Sequence, residues 1–131
     1  MIVIDASAVV NLLTLGQGPQ GRAVAVRIDA SRGVYAPAHM DFEVVKVVRR
    51  LVFQGTVANT HADKAVEALQ RLPITRVPLL DLLPRAWELR HNAYPGDALY
   101  LALAEDLGCP LVTTDGKLAG TPGHHAVIHQ L

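Results

Sequence analysis

A run of apolar, mostly β-branched residues at the start of the chain, residues 1–4, constrains the fold more than any other feature. Such a run, with no polar side chain at alternate positions, is typical of a strand that is buried on both faces of its sheet. The run stops at Asp5, and a second β-rich run, residues 111–114, stops at Asp115. Because sheets buried on both faces are parallel and covered by helices, the sequence predicts an α/β fold with a mainly parallel sheet.

Helical patterns separate the β-rich runs along the chain. In the clearest one, residues 39–54, five Val and Leu side chains share one face and the charged side chains share the other. Gly33, Gly55 and Gly108 are predicted helix ends, and Pro78 favours an edge position for the strand that contains it. We predict helices at residues 6–13, 22–31, 39–54, 59–72 (capped by Asn59 or Thr60), 82–89 (capped by Asp81) and 98–107, and strands at residues 1–4, 34–36, 76–80, 111–114 and 126–128.

Length and composition predict a single domain that covers residues 1–131. Half of the residues are hydrophobic, and twelve basic side chains balance twelve acidic ones, which excludes a disordered chain. Cys109 is the single cysteine, so a disulfide framework is impossible and we expect a reduced, cytoplasmic protein. No apolar run is long enough to span a membrane, and no signal peptide is expected.

Four carboxylates stand at the ends of predicted elements. Asp5 and Asp115 each follow a strand, Asp97 begins a helix, and Glu43 lies in the first turns of residues 39–54. In an open parallel sheet, ligands bind beyond the carboxyl ends of the strands, so we expect the four side chains to converge there. Carboxylates gathered in one pocket repel each other unless a divalent cation such as Mg²⁺ or Mn²⁺ neutralises them. A hydrolytic metal site is therefore one interpretation of the pattern.

Each acid also has a purely structural interpretation. Asp5 and Asp97 could cap the helices that follow them, Asp115 could be a turn residue, and Glu43 could pair with a basic neighbour on an exposed helix face. The joint pattern favours a site, because Asp5 and Asp115 end predicted core strands, where an unpartnered charge is costly.

The distribution of basic residues is compatible with a nucleic-acid substrate. Without the four acids, eight acidic side chains stand against twelve basic ones. Lys46, Arg49 and Arg50 share the polar face that carries Glu43, where they could guide a phosphate backbone or form an ordinary solvated face. Aromatic residues are scarce, which argues against an aromatic platform for reading bases.

Four motifs, in order along nearly the whole chain, resemble the PIN-domain family, and more narrowly the VapC-type toxin ribonucleases of bacterial toxin–antitoxin pairs. The Asp-Ala-Leu-Tyr sequence followed by a Thr-Thr-Asp strand end is the most specific part. The motifs are Ile-Val-Ile-Asp5-Ala-Ser7, Pro37…Glu43, Gly96-Asp97-Ala-Leu-Tyr100-Leu-Ala-Leu-Ala104-Glu, and Thr113-Thr-Asp115-Gly-Lys-Leu118.

The resemblance implies a PIN-like three-layer α/β/α fold with about five strands. It also implies Mg²⁺- or Mn²⁺-dependent cleavage of RNA phosphodiester bonds, inhibition by a cognate VapB-type antitoxin, and a homodimer. The apolar faces of residues 39–54 and 60–72 are the predicted groove for that antitoxin. The implied catalytic residues are Asp5, Glu43, Asp97 and Asp115, with Asp5, Asp97 and Asp115 as metal ligands and Ser7 and Thr113 as supporting polar groups.

Several features depart from the family pattern or fall outside it. Gly96 precedes Asp97 where relatives often have a bulkier residue, and Lys117 stands where some PIN domains have a further acid. The segment at residues 122–125 matches no motif, and the six histidines are interpreted as loop or surface residues. Trp87 and Tyr100 are predicted to lie in the core or in an interface.

Two other functions are compatible with the sequence. One is a PIN-like regulatory or interaction module without catalysis. The other is a phosphotransfer domain in which Asp5 is a covalent nucleophile, although the further acid or lysine that such chemistry uses has no match here.

Overall fold

One five-stranded sheet forms the centre of the computed structural model, which describes residues 1–16 and 18–131. The strand order is β3-β2-β1-β4-β5, and every neighbouring pair is parallel. The predicted edge position of β3 and the predicted parallel sheet are both confirmed. The strands are β1 (Ile2–Ile4), β2 (Val34–Pro37), β3 (Thr75–Val77), β4 (Leu111–Thr113) and β5 (Ile128–Gln130).

Helices cover both faces of the sheet. The first four helices pack on one another, α5 packs on α6, and α6 packs against β1, β2 and β4. Right-handed crossovers place the first four helices on one face and α5 and α6 on the other, because the chain reverses its direction across the sheet after β3. The three-layer prediction is thus confirmed. The helices in the described residues are α1 (Ala6–Thr14), α2 (Pro19–Asp29), α3 (Met40–Phe53), α4 (Asn59–Leu69), α5 (Leu83–Glu88), α6 (Pro95–Leu107) and α7 (Gly116–Ala119), with a 3₁₀ turn at Leu80–Leu82.

The strand order places the two acid-bearing strands side by side. All three residues of β1 are buried, as the unbroken apolar run predicts, and β4 is buried along its whole length. From β1 the chain moves outward to β2, whereas β4 is reached by the connection that returns from β3. The carboxyl ends of β1 and β4 therefore form the crevice where an α/β sheet of this type binds its ligands.

Two predicted helix boundaries were wrong for local reasons. Helix α2 begins at Pro19, whose fixed φ angle suits the first helical position, and it ends at Asp29 rather than near Gly33. Gly33 instead allows close packing, since a Cβ there would lie 2.9 Å from the Tyr35 ring. By contrast, Gly55 and Gly108 follow their helices with φ angles of 75° and 62°, so both predicted stops are confirmed.

The predicted caps of the next two helices were also wrong. Helix α4 starts after Ala58 without a side-chain cap, and Asp81 lies inside the 3₁₀ turn that precedes α5. Helix α4 also ends three residues earlier than predicted. The guanidinium of Arg76 on β3 donates to the carbonyl of Leu69 at 2.8 Å, so a residue of the edge strand satisfies the end of this helix.

The last third of the chain contains the segment that matched no motif. The Arg85 guanidinium donates to the Gly123 carbonyl at 3.3 Å, and the backbone N–H of His125 donates to Glu105 at 2.6 Å. Arg85 also pairs with Glu105 at 2.7 Å and thereby joins α5, α6 and this segment. The final strand lies two residues later than predicted. Within the described residues, no helix combines the length and hydropathy needed to cross a membrane.

Candidate active site

Asp5 is held rigidly at the carboxyl end of β1. Its side chain is only 4% exposed, and both of its oxygens accept hydrogen bonds. Oδ1 accepts from Ser7 Oγ at 2.7 Å and from the backbone N–H of Ala8 at 3.0 Å, while Oδ2 accepts from Thr113 Oγ1. Asp5 therefore caps α1, as its structural interpretation predicts, and Ser7 and Thr113 support it as the family resemblance implies.

The Thr113 hydroxyl connects two of the predicted acids. It donates to Asp5 and accepts a hydrogen bond from the backbone N–H of Asp115 at 2.9 Å. Asp115 in turn caps the short helix α7, with its Oδ1 accepting from Lys117 N at 2.9 Å. The neighbouring β1 and β4 thus deliver two carboxylates to the same crevice, 110 residues apart in the chain.

Asp97 lies inside the first turn of α6 and does not cap it. Tyr94 is the N-cap residue, and no side chain caps this helix end. The pKa of Asp97 is raised, first by burial and then by the negative charges of Glu43 and Asp115. Burial also raises the pKa of Asp5, to which Asp115 adds a smaller contribution. The carboxylates are thus close enough to repel each other, as expected for a pocket that needs a cation.

Glu43 reaches the site from α3, where it contacts Tyr100 and His39, two residues that the sequence did not predict as its partners. Its Oε1 accepts a hydrogen bond from the Tyr100 hydroxyl at 2.7 Å and lies 3.4 Å from His39 Nε2. The predicted alternative, a pair with Lys46 or Arg50, is absent from the ion pairs of the described residues. Tyr100 is buried, as predicted, and this burial, together with the charge of Glu43, raises the pKa of its hydroxyl strongly.

His39 lies in the turn before α3, which agrees with the interpretation of the histidines as loop or surface residues, but its side chain is mostly buried. It precedes α3, its side chain is 14% exposed, and its ring packs on Tyr100 with the centroids 4.8 Å apart. Nε2 lies 3.0 Å from the carbonyl oxygen of Gly96. Because a carbonyl can only accept, Nε2 carries the proton in this contact. The signal in the sequence was weak, since a histidine just before a helix is commonplace.

Gly96 allows α3 and α6 to approach each other. A Cβ at this position would lie 2.9 Å from Glu43 Oε2 and 3.7 Å from His39 Nε2. The glycine that departs from the family pattern is therefore matched to the position of the Glu43 carboxylate in this chain.

All four predicted acids line one cleft of about 310 Å³ at the carboxyl ends of β1 and β4. Three side chains, those of Lys46, Arg49 and Arg50, were predicted to contact the phosphate backbone of a nucleic acid. Of these, Arg50 lines the cleft. Arg49 stacks over Phe53 at 4.4 Å and lines the groove between α3 and α4, while Lys46 is exposed on α3. The cleft is completed by Ala6, Ser7, Val10, Asn11, Val47 and Tyr100.

The donor set of the cleft suits a hard divalent cation, although the acids do not form a closed cage. Among residues 1–16 and 18–131, no three carboxylate, imidazole or thiol groups are arranged to hold one ion. Mg²⁺ typically takes only one or two protein carboxylates and completes its shell with water. The raised pKa values of Asp5 and Asp97, which come from burial and from neighbouring carboxylates, are compatible with such a site.

The fold and the site define a class of proteins. The sequence profile of the PIN domain matches residues 2–123, and the chain belongs to the PIN-domain family.

Within that family, the chain is similar to VapC proteins. Ribonuclease VapC12 of Mycobacterium tuberculosis is 42% identical over 128 residues, which cover 98% of this chain and 97% of that protein.

Two solved structures have the same fold. Mycobacterium tuberculosis VapC20, a toxin that cleaves the sarcin–ricin loop, has a TM-score of 0.71 at 19% identity, covering 97% of this chain and 98% of that one. VapBC2 of Rickettsia felis, bound to a DNA fragment from its promoter, has a TM-score of 0.70 at 12% identity, covering 99% of this chain and 98% of that one.

Proposed function

We propose that this protein is a divalent-metal-dependent endoribonuclease and the toxin of a type II toxin–antitoxin pair that acts in the cytoplasm. The observation that carries the proposal is the convergence of Asp5, Glu43, Asp97 and Asp115 from four elements into one cleft. The similarity to a ribonuclease over nearly the whole chain supports the same activity.

The residues of the cleft have distinct tasks in this proposal. Asp5, Asp97 and Asp115 would hold Mg²⁺ or Mn²⁺. When bound, the metal neutralises these charges and that of the phosphate, and it lowers the pKa of water. Glu43 is held by Tyr100 and remains partly exposed, so its free oxygen can accept a proton or orient a water molecule. Arg50 at the cleft attracts the phosphate backbone.

The environment of Asp5 favours hydrolysis by water over a covalent phosphoaspartate. Both of its oxygens already accept hydrogen bonds, and the side chain is almost fully buried. The hydrogen bonds that hold Asp5 as the cap of α1 prevent it from moving onto a phosphorus atom, whereas the second lone pair of Oδ2 can bind a metal ion with these bonds in place. A stable phosphoaspartate at this residue would revive the phosphotransfer alternative.

Cleavage of cellular RNA by the purified protein tests the proposal. We expect cleavage with Mg²⁺ or Mn²⁺, none with EDTA, and a loss of about 100-fold or more in Asp5→Asn and Asp97→Asn. The matched control is Asp63→Asn, which removes an exposed carboxylate on α4. Unchanged cleavage in Asp97→Asn would contradict the proposal, and absence of both cleavage and Mn²⁺ binding would favour the inactive module.

The proposed partners are a cognate VapB-type antitoxin and a second copy of the chain. A groove of about 440 Å³ between α3 and α4 has an apolar wall that includes Val45, Val52 and Val66, and Phe53 at its edge is 74% exposed. This supports the predicted antitoxin groove. Light scattering with and without the co-expressed antitoxin tests both partners, and a monomer under all conditions would contradict them.

A further inference from the structure

A second cleft, of about 360 Å³, borders the acid cleft. Asp97 lines both clefts, so they share this residue as a wall. The second cleft is formed by the loop between α5 and α6 on one side and by α7 with the residues after it on the other. We call it the flanking cleft, and its polar and aromatic walls include Arg90, His91, Asn92, Tyr94, Lys117 and Thr121.

The flanking cleft contains two cations close to the acids. Lys117 lies on α7, whose N-cap is Asp115, so an ammonium group stands two residues beyond a cleft carboxylate. Arg90 is kept in place by the exposed ring of Trp87, with its guanidinium carbon 4.8 Å from the ring centroid, and its Nη1 donates to the Trp87 carbonyl at 3.0 Å. A polyanion whose reacting phosphate sits at Asp97 would find positive charge directly beside it.

An exposed aromatic ring completes the cleft. Tyr94 is 82% exposed although its backbone is fixed as the N-cap of α6. Trp87, predicted to be in the core or in an interface, is 68% exposed beside Arg90, so the core interpretation was wrong. A ring face at a cleft with cations can stack on an unpaired base while the cations contact the phosphates.

We propose that the flanking cleft binds the single-stranded RNA adjoining the bond that is cleaved. Tyr94 stacks on a base, and Lys117 and Arg90 contact the phosphates beside Asp97, while Arg50 contacts a phosphate in the acid cleft itself. The proposal rests on the proposed ribonuclease function and adds a binding subsite to it.

Binding measured apart from cleavage tests the proposal. The probe is a fluorescein-labelled 12-nucleotide RNA of random sequence, with Ca²⁺ replacing Mg²⁺ and a gel confirming that the probe stays intact. We expect Tyr94→Ala to weaken binding about ten-fold and Tyr94→Phe to retain it, because stacking needs only the ring. The control Phe42→Ala removes an exposed ring that lines neither cleft and should leave RNA affinity unchanged.

Salt dependence tests the phosphate contacts separately. Lys117→Ala should reduce the slope of log affinity against log salt by about 0.7, the value for one lost contact to a single strand. Arg90→Ala should do the same, and Lys64→Ala, an exposed cation on α4, should leave the slope unchanged. A damaged fold would lower affinity without this specific change in slope, and melting curves identify such variants.

The outcomes separate this proposal from the ribonuclease function. If the wild type cleaves RNA and all three alanine variants of the flanking cleft bind and cleave like it, the subsite is refuted and the function stands. If Tyr94→Ala keeps RNA affinity but loses a co-expressed protein partner, the cleft is a protein interface and the proposal fails. If the wild type neither binds nor cleaves RNA, both the subsite and the ribonuclease function are refuted.

Discussion

Asp5 shows that two interpretations of one residue need not compete. The same carboxylate caps α1 through the backbone of Ala8 and lines the acid cleft beside Asp97. The backbone and hydroxyl hydrogen bonds lower its pKa, whereas burial, the larger effect, raises it. A residue that ends a core strand and begins a helix is therefore positioned by local structure before any ligand binds.

A substitution at Tyr100 can test the positioning of Glu43 without disturbing the fold. Tyr100→Phe removes only the hydroxyl that donates to Glu43 at 2.7 Å, and it keeps the buried ring packed on His39. We expect kcat for RNA cleavage to fall about ten-fold with KM nearly unchanged, because the Glu43 carboxylate loses a charged hydrogen bond of roughly 2 kcal/mol.

Steady-state cleavage of one RNA substrate, with melting curves in parallel, measures this effect. Tyr35→Phe is the matched control, since Tyr35 lies on β2 outside the acid cleft. An unchanged kcat in Tyr100→Phe would mean that the hydroxyl does not position Glu43.

Among the elements, the approach of α6 to α3 matters most for the site. Gly96→Ala should be tolerated by the helix, because the φ angle of Gly96 is not positive and alanine favours helices by about 1 kcal/mol. The new Cβ, however, would stand 2.9 Å from Glu43 Oε2 and displace that carboxylate. We expect cleavage to fall about ten-fold or more with little loss of stability.

A double variant tests whether Gly96→Ala acts on cleavage through Glu43. When Gly96→Ala is combined with Glu43→Asp, the shorter side chain leaves room for the Cβ, so Gly96→Ala should cost less cleavage rate in the Glu43→Asp background than in the wild type. Melting temperatures distinguish this from a general defect. A double variant whose two losses simply add would show that Gly96 acts independently of Glu43.

The edge strand β3 stabilises two helices through one side chain. Arg76 pairs with Asp41 of α3 through two contacts of 3.0 Å and donates to three carbonyls at and beyond the end of α4. We expect Arg76→Ala to lower the free energy of unfolding by about 2–3 kcal/mol, measured by urea denaturation. Arg71→Ala removes an exposed pair with Glu67 and should cost less than about 0.5 kcal/mol.

At the scale of the whole molecule, the carboxylates of the acid cleft form a binding site but lower the stability of the fold. The pKa of Asp97 is raised above its ordinary value of 3.8, so the native state binds the proton more tightly than the unfolded chain. Stability from this group is therefore present at low pH and declines as pH rises from about 4 through the raised pKa. At neutral pH the repulsion persists unless a cation enters the cleft.

Asp97→Asn should remove that repulsion and abolish cleavage together. Without divalent metal at pH 7, we expect its melting temperature to exceed that of the wild type by about 4 °C, corresponding to roughly 1 kcal/mol. The advantage should shrink towards pH 4. Millimolar Mn²⁺ should raise the melting temperature of the wild type more than that of the variant. Equal melting temperatures at pH 7 without metal would contradict the prediction.

The fold was predictable where the hydrophobic pattern is strong. The buried run before Asp5, the amphipathic pattern of α3 and the glycine after α6 are local signals, and each marked its element correctly. Predicted helix ends were wrong where a residue distant in sequence takes part. For example, Arg76 of β3 donates a hydrogen bond to the carbonyl of Leu69 at the end of α4. The meeting of Asp5 and Asp115 was predictable because neighbouring parallel strands end at one edge of a sheet, whereas Glu43 and Asp97 reach the cleft from helices.

The amino-acid sequence thus fixes the family, the order of the elements and the four carboxylates, because these depend on periodicity and on motifs within a few residues. It does not reveal His39 packed on Tyr100, the fit of Gly96 against Glu43, or the cleft beside Asp97 with its exposed Tyr94. These features depend on which side chains from distant segments share space. These contacts arise when α3, α6 and α7 pack around the sheet, and no local sequence pattern predicts them.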